Sequence, residues 1–193
     1  MMRHSLTAAI LGLALTLPMT AHADQPAHET PTRDVDVVYL PPPPNAPHVL
    51  LPQRIRYSAK AGLLREDARG GGLWILMDFN HHLLTFVNEA KKTASTVPVK
   101  GPIGTLDPQG NSRWQKSDTA KLAGLSCTKW QIINKAGPGI TECLTDDGVV
   151  LQTVTAKGLV VNSVKSVTYA PQDDSVFVVP ADYAHTQSLR LQK

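Results

Sequence analysis

The chain has 193 residues and carries 19 Lys and Arg against 16 Asp and Glu, a formal net charge of +3. That balance excludes the concentrated basic surface of a nucleic-acid binder. Its two cysteines, without a CxxC spacing, exclude a zinc framework, and the length suits one domain.

Residues 1–23 have the form of a secretory signal peptide. Arg3 and His4 make its basic start. The apolar run Leu6–Leu17 is too short for a bilayer, which takes about 20 residues. Ala21-His22-Ala23 is a small-x-small cleavage site. Without Arg3 the mature chain carries 18 basic groups against 16 acidic ones. No cysteine follows the cleavage point to take a lipid, and no later stretch is apolar enough to span a membrane, so an exported protein is expected. Residues 24–33 are polar and read as a mobile tail ahead of a single β-rich domain over 34–193.

Asp34–Leu40 alternates and predicts a strand. Pro41–Pro44 is an extended polyproline linker. Gln53–Ala59 and Gly62–Glu66 predict short strands, followed by the loop Asp67–Gly72. Leu73–Phe79 and His82–Asn88 form the most apolar hairpin. With Asn80-His81 as its turn, Met77 opposes Leu84 and Ile75 opposes Phe86. The other face carries Trp74, Leu76 and Val87, so this hairpin needs cover on both sides. Ala94–Val99, broken by Pro98, predicts an edge strand, and Lys100–Ser117 a long polar loop.

Ser126–Asn134 and Ile140–Thr145 are strands about a glycine-proline loop at 135–139. Symmetry about residue 135 sets Cys127 opposite Cys143 and Trp130 opposite Ile140. Facing residues lie at about the Cβ separation a disulfide needs. In a cytosolic chain these would be two buried thiols; the export signal favours a bridge. The Asp147-Gly148 turn sets Leu144 opposite Leu151, and Lys157-Gly158 sets Leu151 opposite Val164. Trp130, Ile140, Leu144, Leu151 and Val164 thus share one face of a meander. Val160–Tyr169 and Val176–Val179 are further strands, and Pro180–Leu191 predicts a short C-terminal helix.

The sum is a mainly β fold with few short helices. A curved antiparallel sheet, an incomplete or half β-barrel around an apolar hollow, meets the needs of the 73–88 hairpin. A two-sheet sandwich with a filled core is the alternative.

Two runs carry a family resemblance. Ala123-Gly124-Leu125-Ser126-Cys127-Thr128-Lys129-Trp130 and Glu142-Cys143-Leu144-Thr145-Asp146-Asp147-Gly148-Val149-Val150-Leu151 resemble a pattern in exported proteobacterial proteins of unknown function. More distantly, the layout resembles the periplasmic lipoprotein carrier LolA and its outer-membrane acceptor LolB, with Leu76-Met77-Asp78 in the apolar hairpin. The resemblance spans roughly residues 33–183 and implies a periplasmic, LolA-like half-barrel whose cavity takes acyl chains.

Candidate chemistry is sparse. His81 and His82, near Asp78, are the clustered metal-type residues, but a solvated turn explains them. Asp146 and Asp147 read as turn chemistry. Ser126 lies outside a G-x-S-x-G elbow, and no phosphate loop or dinucleotide fingerprint is present. No catalytic residue and no cofactor is assigned. The leading expectation is a non-enzymatic carrier for an apolar small molecule, lipid or lipoprotein. Its cavity is expected at Ile75, Met77, Leu84, Phe86, Trp130, Ile140, Leu144 and Leu151. A cell-envelope interaction module with a filled core is the second reading, and an exported hydrolase the third.

Overall fold

A computed structural model of the chain describes residues 25–44, 52–101, 103, 112–135 and 137–187. The signal peptide expected at 1–23 lies outside the described residues. The strands are β1 (Val35–Tyr39), β2 (Pro52–Ser58), β3 (Leu63–Ala68), β4 (Leu73–Asp78), β5 (Leu83–Asn88), β6 (Thr93–Pro98), β7 (Arg113–Leu122), β8 (Leu125–Asn134), β9 (Gly137–Leu144), β10 (Val150–Val154), β11 (Val160–Thr168) and β12 (Ala184–Gln187). All twelve lie in one sheet, ordered β12-β6-β5-β4-β3-β2-β1-β11-β10-β9-β8-β7. The end strands β12 and β7 do not pair, so the sheet is open and not a closed barrel.

Two meanders, β2–β6 and β7–β11, are joined by β1, which pairs with β2 on one side and β11 on the other. The seam strand is the most buried: Val35, Val37 and Tyr39 are at most 3% exposed. They pack with Cys127, Cys143, Val149, Leu151 and Val164 in the main core.

Local chemistry explains the short connections. In three hairpins the residue ending the first strand accepts a backbone N–H three residues on: Ser58 from Ala61 (3.3 Å), Asp78 from His81 (2.9 Å) and Asn88 from Lys91 (2.9 Å). Such side-chain-to-backbone bonds stabilise tight turns. Each turn ends left-handed, at Gly62, His82 and Lys92. Two later turns share another pattern, Thr145-x-x-Gly148 and Thr155-x-x-Gly158, with each glycine N–H donating to the threonine carbonyl at 3.0 and 2.9 Å.

The 73–88 hairpin has the expected register, with Ile75 opposite Phe86 and Met77 opposite Leu84. Paired residues point to the same side of a sheet, so Val37, Ile55, Glu66, Ile75 and Phe86 share one face. On the other face Trp74, Val87 and Ala94 are covered by Tyr183 and Val179 from the C-terminal segment. The second apolar face is therefore buried by the chain itself.

Other expectations need correction. Residues 184–187 form no helix; they add to β6 as a short parallel strand. A strand edge with unpaired backbone groups is satisfied better by another strand than by a helix lying beside it. For the same reason β6 is not an edge strand, since β12 covers Thr93–Thr96 and leaves Pro98 beyond the pairing. Asp174–Phe177 is a 3-10 turn capped by Asp173, not a strand at 176–179. The long loop ends early, because β7 begins at Arg113; 102 and 104–111 lie outside the described residues.

In the cysteine hairpin, β9 begins at Gly137 opposite Asn134, one residue off symmetry about 135, and an irregularity between Gln131 and Ile133 adds one more, so the pairing beyond it lies two residues from the expected register. Trp130 faces Glu142, not Ile140, and Cys143 faces Lys129. A two-residue slip keeps every side chain on its side. Cys127 still reaches Cys143 diagonally, with 5.3 Å between Cα atoms, and the two form a disulfide. A bulge between Val150 and Gln152 likewise sets Val150, not Leu151, opposite Leu144.

Candidate functional site: an acid-lined hollow in the sheet

The sheet curls enough for distant strands to face one another. Pro52 and Ile55 of β2 and Glu66 of β3 line a cavity of about 340 Å3 together with Trp114 of β7, Ile140 and Glu142 of β9, Thr153 of β10 and Asn162 of β11. An adjoining lobe of about 110 Å3 is walled by Val37, Leu64, Met77 and Val149. Glu29, Tyr39, Ile55, Glu66 and Val150 border both lobes.

The segment before β1 crosses this hollow. Pro31 is buried, and Glu29, Thr30 and Pro31 line the smaller lobe. The strap is anchored at the Thr145–Gly148 turn. Thr32 N donates to Asp147 O at 3.0 Å, and Arg33 Nε to Asp147 Oδ2 at 2.7 Å. The Arg33 guanidinium stacks on Tyr169, 3.5 Å from the ring centre. Tyr169 OH and Thr145 Oγ1 also donate to Asp147 Oδ1, at 3.2 and 2.6 Å. Burial raises the Asp147 pKa, but these bonds outweigh it and hold the carboxyl below its ordinary value. Asp147 is thus the strap's anchor as well as a turn residue.

The hollow is apolar with an acidic lining. Glu142 is 9% exposed. Burial, then the neighbouring Glu29 carboxylate, push it up to about 7 against a bond from Thr153. Burial also raises Glu66, with Asp67 adding to it. Tyr39 is raised further, by burial and then by Glu142 and Glu66, and its hydroxyl donates to Val150 O at 2.9 Å. Asn162 is 6% exposed, and its Oδ1 has no hydrogen-bond partner.

Of the residues expected in a cavity, Met77 lines the smaller lobe and Ile140 the larger. Ile75, Leu84 and Phe86 continue the same face outward, and Phe86 is 45% exposed. Trp130, Leu144 and Leu151 are buried without lining either lobe. The acidic lining was not read from the sequence, though a signal existed. Alternation along Ile140-Thr141-Glu142-Cys143-Leu144 puts Glu142 between two residues already assigned to the wall.

His81 and His82 belong to their turn. His81 Nδ1 is 2.7 Å from Asp78 Oδ2, and His82 Nδ1 is 3.3 Å from Gly101 O. Among the described residues no group of three His, Cys, Asp or Glu could hold a metal ion. Ser126 is exposed on β8, opposite Lys121.

No protein-family model and no curated protein matches the chain. Among solved structures it is similar to an uncharacterized conserved protein from Thermus thermophilus, with a TM-score of 0.56 at 12% identity over 81% of this chain and 91% of that one. At that identity the likeness concerns the fold alone, which this chain shares with a distant sequence.

Proposed function

We propose that the protein is an exported, non-catalytic carrier of the periplasm that holds an apolar ligand, a lipid or a lipoprotein acyl chain, in the hollow of its sheet. One observation carries this reading. The apolar surface is continuous from the cavity at Met77, past Ile75 and Leu84, to Phe86 and Leu73, which are 45% and 40% exposed. A contiguous apolar track leading out of a pocket is how ligand-binding grooves differ from scattered surface residues. The disulfide fits an oxidising compartment, and the resemblance to LolA-like carriers points the same way.

Native mass spectrometry of the exported protein, before and after organic extraction, tests it. The expected result is a co-purifying apolar mass that extraction removes, and an apolar fluorescent probe that binds the extracted protein. Phe86→Glu, at a half-exposed site, is expected to weaken the probe about tenfold. Protein that is always ligand-free and indifferent to the probe would overturn the proposal.

A second reading, an envelope interaction module, draws on β7. This ten-residue strand pairs only with β8 among the described residues and so presents an open edge for strand addition. A stoichiometric partner protein captured through that edge, with the cavity empty, would favour it.

A further inference from the structure

The larger lobe is lined by acceptors and acidic groups. Glu66 on β3 and Glu142 on β9 approach it from opposite sides of the curl, and Glu29 of the strap borders it. No Lys, Arg or His lines it among the described residues. The Tyr39 hydroxyl is spent on Val150 O. Asn162, 6% exposed, lines the lobe with an Oδ1 that has no hydrogen-bond partner among the described residues. Buried acceptors of this kind are normally paired, so the missing partner is a donor supplied from outside.

We propose that the larger lobe is a head-group subsite for an amphiphile carrying a cationic N–H donor, an alkylammonium, with Asn162 Oδ1 and the Glu142 and Glu66 carboxylates as its acceptors. Trp114, also on the lining, adds an aromatic surface of the type that attracts ammonium groups. Among the described residues no group of three His, Cys, Asp or Glu could hold a metal ion, and an anionic head group would meet like charge. This inference rests on the apolar-ligand reading and narrows it to one head-group chemistry.

Glu142 is faced by Glu29 from the strap, Tyr39 of β1 and Thr153 of β10, and burial, then Glu29, push its carboxyl up to about 7. A bound cation favours its ionised form. Affinity for an alkylammonium should therefore rise with pH through that value, about 30-fold between about pH 5.5 and about pH 8.5 if binding needs the ionised carboxylate.

Isothermal titration of the mature full-length protein with decylamine, decanol and decanoate tests the inference. Decylamine is expected to bind tightest, with the stated pH dependence. Glu142→Gln, which keeps an acceptor near Thr153, should lower the decylamine-to-decanol affinity ratio about tenfold. Glu66→Gln gives an independent readout from the opposite wall. Decanol or decanoate binding as tightly as decylamine, or a ratio unmoved in both variants, would overturn this inference and leave the apolar-ligand reading standing. Binding of none of the three would remove both.

Discussion

Burial of Glu142 makes a quantitative prediction about stability. In the folded protein its carboxyl is pushed from the ordinary 4.5 up to about 7, first by burial and then by Glu29. That difference corresponds to roughly 3 kcal/mol. A carboxyl with a raised folded pKa holds its proton more tightly in the native state. Its contribution to stability is therefore complete below about pH 4.5, drains as the pH rises, and is gone above about pH 7. Glu66, raised by burial and by Asp67, acts in the same direction. Asp78, Glu89 and Asp147 are held below their ordinary values. They ionise before the window of about pH 5 to 8 opens and do not contribute to its slope. Urea unfolding across that window should show the wild-type protein losing roughly 3 kcal/mol through Glu142. Glu142→Gln should remove most of that loss and be the more stable protein at the alkaline end. A variant that keeps the wild-type slope would refute the burial of an unbalanced carboxyl in the hollow.

Two further outcomes follow from the same structure. The Cys127–Cys143 bridge closes a loop with a sequence separation of 16, so the double alanine variant should lose about 3 kcal/mol in urea unfolding; thiol labelling of the native protein should detect no reactive cysteine. Gly148 and Gly158 have φ of +86° and +80° in matching turns, but a Cβ at Gly148 would lie 2.1 Å from Thr30 O while one at Gly158 meets nothing. Alanine at either should cost about 1–2 kcal/mol for the left-handed backbone. Only Gly148→Ala should also release the strap, seen as faster hydrogen exchange at the Thr32 amide; equal exchange in the two variants would mean the strap is not held there.

The mainly β fold and its hairpins were legible in the sequence because they depend on local rules. Strand alternation and turn residues placed Ile75 opposite Phe86 without any knowledge of the fold, and the structure has that register. The cysteine pairing was legible for a coarser reason. A hairpin brings both cysteines to one face, and the one-residue offset at the Asn134–Gly137 turn plus the one-residue slip at Gln131–Ile133 moved the register by an even total. Turn composition cannot report such an irregularity, because it depends on how the whole strand twists against its neighbours.

What the local pattern could not carry was everything arising from strands far apart in the chain. Pro180 and the residues after it satisfy helix rules, yet they pair with the edge of β6 as a strand and bury the ring of Trp74 under Tyr183. The strap over the hollow depends on Arg33 meeting Asp147, 114 residues away. Glu66 looks like a solvated position in its own strand, and Glu142, although alternation puts it on the wall face, has nothing adjacent in sequence that says what stands opposite. They become lining only when β1 joins the two meanders and the sheet curls, so that one wall faces the other across an apolar space. Sequence alone determined most of the strands, the register of the 73–88 hairpin and the disulfide, since these follow from backbone period and short-range turns. Tertiary structure alone decided which acids are desolvated, because desolvation is set by what stands opposite and not by what stands adjacent.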